Sequence, residues 1–192
     1  MPMTVPHIHD NPLSYVDRLD ERAVESIELV VIHATELPDL GTARDYGERI
    51  HHPNSKTGNS GHFYIDRDGS IEQWVPLGRV AHHVRDHNAR SIGIELVNRG
   101  RWPDWLDSHH QQWQEDYSRA QIESLVALLR DLKNRLPNLG TIAGHDELDT
   151  GLIAASDDPA IQLRRKVDPG PLFPWDEIES RVSLERSGMT SP

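Results

Sequence analysis

Two histidines stand at positions where side chains could do chemistry together. His33 ends the β-branched apolar run IELVVIH (27–33), and His145 ends the short run TIAGH (141–145). A histidine that closes a buried strand is well placed to point into a shared cleft, where imidazole can bind a metal ion or move a proton. The alternative for each is a half-buried imidazole that hydrogen-bonds to backbone. Neither an HExxH motif nor a paired-histidine spacing is present, so spacing alone does not indicate a metal site.

The stretch RRKVDPGP (164–171) carries a cation and a carboxylate side by side. Pro169 and Pro171 each disfavour helix in the residue before them, so the segment is predicted to be extended and stiff. In an extended segment, side chains two residues apart point the same way, which places Lys166 beside Asp168. The alternative is a surface turn with an incidental salt bridge, because Asp, Pro and Gly are ordinary turn residues.

Composition limits both the chemistry and the partners. The chain has 192 residues, enough for one domain with a sizeable core, and its net charge is −11. That acidic charge argues against a nucleic-acid partner, because phosphate binding needs a basic surface. With no cysteine and 12 histidines, any metal must be bound by imidazole, carboxylate, carbonyl or water, a set that suits zinc among others. No apolar run is long enough to span a bilayer, and the first residues show no secretory signal.

The predicted elements show what must position these residues. Apolar patterns predict strands at 27–33, 91–98 and 141–145, and a hairpin around the DG turn within 62–75. Helices are predicted at 42–52 with Thr42 as the N-cap, at 118–136 with Ser118 as the N-cap and Pro137 as the stop, and within FPWDEIESRVS (173–183). Segments 99–117 and 146–165 are predicted to be long loops.

Strands interspersed with helices predict an α/β fold with a mixed central β-sheet flanked by helices. The DG hairpin makes at least one strand pair antiparallel, which is why the sheet should be mixed. Residues 1–26 are polar and are predicted to form an N-terminal arm, 27–182 a single domain, and 183–192 a flexible tail. Chemistry in such folds is expected in the loops at strand ends.

Five segments occur in one order: VVIHAT, SGHFYIDRDGSIEQWVP, HNARSIGIELVN, AGHDELD and RKVDPGPLFPW. This order resembles the zinc-dependent N-acetylmuramoyl-L-alanine amidase family, which includes cell-wall recycling amidases, amidase-type phage lysozymes and peptidoglycan recognition proteins. The resemblance implies the fold of those proteins, with 27–182 as the amidase catalytic domain. It also implies that His33, His145 and Asp168 bind one Zn²⁺. Three protein ligands leave the fourth tetrahedral position open, which is the layout of a catalytic zinc site.

The resemblance assigns catalytic roles to Glu95 and Lys166. Glu95 is an acid inside the apolar strand SIGIELVN, and burial would raise its pKa towards the range that an acid–base catalyst needs. It is expected to take a proton from the attacking water and to pass it to the leaving amine. Lys166 is expected to stabilise the negative charge that develops on the amide oxygen. The alternatives are a glutamate on an edge strand that faces water and a solvated lysine in the basic run RRK.

Other assignments concern the wall of the cleft. His82 in VAHHV is expected to contact the substrate, and a shift of one residue would give that place to its neighbour His83. Asn88 in HNARSIG matches a family asparagine near the same wall, so it is also assigned to substrate binding. His62 is expected to pack beside the zinc histidines.

Two features of the chain depart from the family pattern. Gly61 stands where some family members have a tyrosine, which fits a mechanism that depends on Glu95. The segments 99–117 and 146–165 are long. The tryptophans of the first segment could bind sugar or peptide, or could form a small core of the loop itself. These tryptophans are Trp102, Trp105 and Trp113.

The sequence thus predicts zinc-dependent hydrolysis of the amide bond between N-acetylmuramic acid and L-alanine in peptidoglycan or in soluble muropeptides. The alternative is a peptidoglycan-binding module that has the same fold without turnover, although binding-only relatives usually lose a zinc ligand and this chain keeps all three. A monomer is expected, with peptidoglycan fragments as partners and no membrane span. The lack of a visible signal favours a cytoplasmic recycling enzyme, and the alternatives are a phage endolysin or a periplasmic enzyme whose signal is missing.

Overall fold

A mixed sheet of seven strands lies at the centre of the computed structural model, which describes residues 7–187. The nine strands of the described part are β1 (Ile8–Asp10), β2 (Leu29–Ala34), β3 (Phe63–Ile65), β4 (Ile71–Gln73), β5 (Ser91–Leu96), β6 (Thr141–Gly144), β7 (Leu152–Ala154), β8 (Gln162–Arg164) and β9 (Glu185–Arg186). The α-helices are α1 (Leu40–Gly47), α2 (Arg119–Arg135), α3 (His145–Leu148) and α4 (Trp175–Arg181).

The order of strands across the sheet is β1-β4-β3-β5-β2-β6-β9, and β7 and β8 form a separate hairpin. Within the large sheet the β3–β4 pair is antiparallel, as the DG turn predicts, and the neighbouring pairs on either side of it are parallel. The central strand β2 is parallel to both β5 and β6 and is buried along its whole length. The prediction of a mixed central sheet flanked by helices is confirmed.

The long helix α2 covers one face of the sheet. Its N-cap is Ser118, whose hydroxyl accepts a hydrogen bond from the backbone N–H of Gln121 while the Gln121 side chain accepts from the backbone of Ser118. This reciprocal pair satisfies two backbone donors that a helix N-terminus otherwise leaves open. The apolar positions at helical spacing are fully buried, and each such side chain contributes about 1.5–3 kcal/mol. None of the helices in the described part combines the length and apolarity needed to cross a bilayer.

Helix α1 begins earlier and ends earlier than predicted. Its N-cap is Asp39 and not Thr42, because the Asp39 carboxylate accepts a hydrogen bond from the Thr42 backbone N–H at 2.7 Å. A carboxylate at this place is also favoured by the positive end of the helix dipole. The helix ends at Gly47, so the residues of the predicted helix that follow it lie in a turn and a loop.

The segment 146–165 is not the plain loop that the sequence predicts. It contains most of α3 and the antiparallel hairpin in which Ile153 pairs with Leu163. Three-residue strands are too short to show a reliable alternating pattern, which explains why the sequence does not reveal them.

The described parts of the predicted arm and tail pack on the sheet. β1 pairs with β4 at one edge, and Leu13 and Tyr15 are buried against Trp74 in a second apolar cluster. At the opposite edge β9 pairs with β6. The segments 1–26 and 183–192 therefore do not form an irregular arm and a free tail throughout, because edge strands and a few buried side chains attach them. Residues 1–6 and 188–192 lie outside the described part.

Candidate metal centre and active site

The parallel register of the sheet brings the candidate residues into one row. His33 on β2 pairs with Glu95 on β5, and Glu95 pairs in turn with Tyr64 on β3. On the other side of β2, β6 ends at Gly144, and His145 follows directly. Paired residues on neighbouring strands point to the same face of a sheet, so these side chains lie together at the strand ends.

Three predicted ligand atoms meet at the end of this row. His33 Nδ1 lies 3.0 Å from His145 Nδ1 and 3.0 Å from Asp168 Oδ2, and His145 Nδ1 lies 3.1 Å from the same oxygen. All three residues are buried, and within 7–187 they are the group of acidic and histidine side chains close enough to share an ion. Tetrahedral zinc with bonds of about 2.0–2.2 Å places its ligand atoms about 3.3 Å apart. The donor set therefore fits Zn²⁺ with little movement.

Backbone contacts hold the segment 164–171, here called the strap, which carries Asp168. The Asp146 backbone N–H, in the first turn of α3, donates to the Asp168 carbonyl at 3.0 Å. The Tyr117 hydroxyl donates to the carbonyl of Pro169 at 2.7 Å. The side chain of Asp168 is therefore held against the end of β6, where His145 lies.

The tryptophans of the long loop pack on other parts of the protein and not only on each other. Trp113 is buried over Gly170 of the strap, where an added Cβ would lie 2.6 Å from the indole ring and where φ is +82°. Trp102 and Trp105 form an edge-to-face pair with ring centroids 5.2 Å apart, and they pack on the apolar cluster beneath α1. The alternative that these tryptophans form a small core of the loop itself therefore describes only the contact between Trp102 and Trp105.

The pKa shifts of the ligand residues favour the protonation states that bind a cation. Burial, together with the neighbouring His145, lowers the pKa of His33 to about 4, against the opposing effect of Asp168. Burial alone would raise the pKa of Asp168, but the charges and hydrogen bonds of both histidines hold that pKa well below its ordinary value. Near neutral pH the site therefore offers an uncharged His33 and an ionised carboxylate, which are the protonation states that metal binding requires.

Glu95 stands beside the ligand group. Its Oε1 atom lies 4.0 Å from His33 Nδ1, and its side chain is 15% exposed. Burial, together with the charge of Asp168, raises the pKa of Glu95 to about 8, against the opposing charge of Lys166. A Cβ at Gly61 would lie 2.9 Å from Glu95 Cγ, so a glycine at this position makes room for the glutamate.

These groups line one cavity of about 700 Å³. Glu95, Lys166 and the three ligand residues all contribute to its wall, as do Trp105 and Arg165 from the two long segments. A cavity of this size is in the range of small-molecule sites. The structure thus brings every predicted metal and catalytic residue to one place, and their roles stay predictions.

The predicted substrate-binding residues have different surroundings. His82 lines the cavity, with its ring 4.4 Å from that of His52. The side-chain oxygen of Asn88 accepts hydrogen bonds from the backbone N–H groups of His83 and Val84, at 3.0 and 2.8 Å. Asn88 lines the same cavity, but its oxygen already has two donors, so it shapes the loop that carries both histidines.

A buried ion pair near the site has no signal in the sequence. Glu36, three residues after His33, has a φ of +49° and accepts two hydrogen bonds of 2.7 Å from the Arg101 guanidinium. The pair joins the end of β2 to the loop 99–117. At its far side, Ser108 of this loop donates to Asp157 of the β7–β8 connection through both its backbone N–H and its hydroxyl. Partners 49 and 65 residues apart in the sequence cannot be matched by local pattern.

Comparison with known proteins agrees with this geometry. A family model described as N-acetylmuramoyl-L-alanine amidase matches residues 23–171. The chain belongs to this family.

Curated relatives and a solved structure share the region. AmiD of Escherichia coli (strain K12) is 36% identical over 91 residues, which is 47% of this chain and 27% of AmiD. The 1,6-anhydro-N-acetylmuramyl-L-alanine amidase AmpD of the same strain is 33% identical over 135 residues, which is 66% of this chain and 60% of AmpD. The match therefore spans less than two thirds of either relative. A solved E. coli AmiD complex with the substrate anhydro-N-acetylmuramic acid-L-Ala-D-γ-Glu-L-Lys superposes with a TM-score of 0.63 at 25% identity, covering 83% of this chain and 58% of that one.

Proposed function

We propose that this member of the amidase family binds one Zn²⁺ and hydrolyses the amide bond between N-acetylmuramic acid and L-alanine. The observation that carries the proposal is the convergence of His33 Nδ1, His145 Nδ1 and Asp168 Oδ2 within about 3 Å of one another, next to Glu95 in a single cavity. Two imidazole nitrogens and one carboxylate oxygen with an open side are the ligand set of a catalytic zinc site.

The named relatives support the choice of substrate. Both are N-acetylmuramoyl-L-alanine amidases by name, and the solved AmiD complex holds an anhydro-muropeptide. A module that only binds peptidoglycan needs neither three metal ligands nor a buried acid beside them. The retained ligand set and Glu95 favour turnover over binding alone.

The reaction adds water across the amide. A bound zinc ion would supply Lewis acidity to the reacting oxygens. Glu95, whose ionised form a nearby bound cation would favour, accepts one proton as the water oxygen bonds to the carbonyl carbon. It donates that proton to the departing nitrogen as the carbon–nitrogen bond breaks. The products are the free carboxyl group of the muramic acid and the amine of the peptide, so the atoms balance.

Lys166 acts on the other charge that develops. Its side chain lines the same cavity as Glu95, and its charge already lowers the pKa of that carboxyl. An ammonium that is in place before the reaction stabilises the amide oxygen more in the transition state than in the bound substrate. The strap holds Lys166 two residues from the metal ligand Asp168, so both groups share one support.

The remaining walls receive the two ends of the substrate. His82 and Trp105 supply ring faces that can pack against sugar or peptide. Arg165 also lines the cavity, where it forms an ion pair with Asp149. The partner proposed for the cavity is therefore a peptidoglycan fragment, either a soluble muropeptide or the end of a larger chain.

The test combines metal analysis with kinetics. Purified protein should contain about one zinc per chain and release the peptide from an anhydro-muropeptide, and His33→Ala should lose both properties. Glu95→Gln should keep zinc and fold while turnover falls roughly 10²–10⁴-fold, the usual size of an acid–base contribution. Metal-free protein that still cleaves, or zinc-loaded protein that cleaves neither muropeptides nor intact sacculi, would contradict the proposal.

A further inference from the structure

A third histidine contacts the metal-ligand group at His33. His83 Nδ1 lies 2.9 Å from His33 Nε2, on the side of the His33 ring opposite to the ligand atom Nδ1. The two rings meet edge to face, with centroids 5.1 Å apart. The sequence shows His83 only as the second half of the pair HH, so its contact with His33 depends entirely on the tertiary structure.

A glycine on β5 leaves room for the His83 ring. His83 lies over Gly93 of β5, where an added Cβ would stand 2.7 Å from both Cγ and Nδ1 of the imidazole. Asn88 fixes the backbone that carries the ring, because its side-chain oxygen accepts from the His83 backbone N–H at 3.0 Å. With the glycine below and the hydrogen-bonded loop above, the imidazole lies with Nδ1 towards His33.

The direction of the hydrogen bond between His83 and His33 follows from Ser91, which contacts the other nitrogen of the His83 ring. The Ser91 hydroxyl donates its one proton to the carbonyl of His87 at 2.8 Å, so its oxygen can only accept from His83 Nε2, 3.2 Å away. A neutral His83 whose Nε2 carries the proton has a bare Nδ1. That Nδ1 must accept from His33 Nε2–H, which leaves His33 Nδ1 without a proton.

We propose that His83 is a positioning residue that holds His33 in the tautomer and orientation in which Nδ1 faces the metal ion. The inference rests on the zinc site of the proposed function and concerns how that site is prepared. A ligating histidine usually donates its second ring N–H to a carboxylate, a backbone carbonyl or water. Here the acceptor is a neutral imidazole, so His33 is oriented without a further negative charge behind the metal.

Zinc affinity tests the proposal without any substrate. Removal of such an outer partner typically weakens metal binding 10–100-fold, so His83→Leu should raise the zinc dissociation constant by roughly that factor in a competition with a chromophoric chelator. His83→Gln keeps an oxygen that can accept from His33 Nε2–H, so it should recover most of the affinity that the leucine variant loses. A purely structural role of the ring would not distinguish leucine from glutamine in this way.

His82→Leu is the matched control. It removes the adjacent histidine of the same loop, whose ring packs on His52 and not on His33, and its zinc affinity should equal that of the unsubstituted protein. An affinity of His83→Leu within about threefold of the control would overturn the proposal, because no outer partner of a ligand would then have been lost.

Nitrogen NMR of the unsubstituted, zinc-loaded protein keeps the test independent of any variant's folding. The expected spectrum shows His33 protonated at Nε2 and His83 protonated at its own Nε2 alone. A proton on His83 Nδ1, or zinc on His33 Nε2, would refute the proposed hydrogen-bond direction. Weaker zinc binding by His83→Leu in a protein that shows no amidase activity would support this inference and count against the proposed function. Normal turnover with unchanged zinc affinity would do the reverse.

Discussion

Glu95 makes the metal-free protein less stable as the pH rises, and replacing it by glutamine removes this cost. The carboxyl lies in a buried row between Tyr64 and His33, where desolvation and the charge of Asp168 favour its neutral form. Glutamine has nearly the same shape and carries no charge at any working pH. The substitution therefore isolates the free energy of holding a carboxylate at this position.

The sign and size follow from the pKa. Because the folded-state pKa is raised from 4.5 to about 8, the folded protein keeps a proton that the unfolded chain has already released between these pH values. Stability from this group is fully present below about pH 4.5 and is lost as the pH rises towards 8. At 1.36 kcal/mol per unit, the advantage of Glu95→Gln should grow from about 1 kcal/mol at pH 5 to about 4–5 kcal/mol at pH 9.

Chemical denaturation at pH 5, 7 and 9 in the presence of a chelator measures this difference. Between pH 5 and 9 the neighbouring Asp168 stays ionised and His33 stays neutral because both pKa values lie below this range, and the titration of distant groups cancels between the variant and the unsubstituted protein. Glu25→Gln, at an exposed glutamate outside the cavity, is the control for the general effect of removing one carboxylate. Zinc should shrink the pH dependence at Glu95, because a nearby cation favours the carboxylate. An advantage of Glu95→Gln that is equal at pH 5 and pH 9 would refute the reasoning.

Four further substitutions test the active site and its support. Lys166→Ala should lower turnover roughly 10²–10³-fold at full zinc content, whereas Asp168→Ala should lose the zinc itself. Elemental analysis beside the kinetic assay separates the two effects. Equal zinc loss in both variants would contradict this assignment. Gly61→Ala places a Cβ 2.9 Å from Glu95 Cγ, so turnover should fall while zinc is retained, and unchanged kinetics would show that the glutamate does not need the space. Trp113→Ala removes a buried ring that packs on the strap, and it should lower the free energy of unfolding, measured by urea denaturation, by about 3–5 kcal/mol. A loss below about 1 kcal/mol would mean that the ring does not stabilise the strap.

Local patterns in the sequence carry much of the fold. The β-branched run before His33, the helical spacing and caps of α2, and the DG turn each specify an element through contacts between residues close in sequence. The elements that the sequence did not reveal have little local signal. β1, β7, β8 and β9 are two or three residues long and depend on a partner strand, and the N-cap of α1 depends on which of two neighbouring polar side chains reaches the free N–H groups.

The sequence by itself determined the kinds of donor present and their positions at strand ends: no thiolate, two histidines that each close an apolar run, and an aspartate on a stiff proline-containing segment. Family resemblance joined these into one site. Only the tertiary structure decided which groups stand behind them, because His83 reaches His33 across 50 residues and Glu36 reaches Arg101 across 65. Such contacts form when strands pair in register and loops pack over them, and no periodicity along the sequence indicates which distant residues will come into contact.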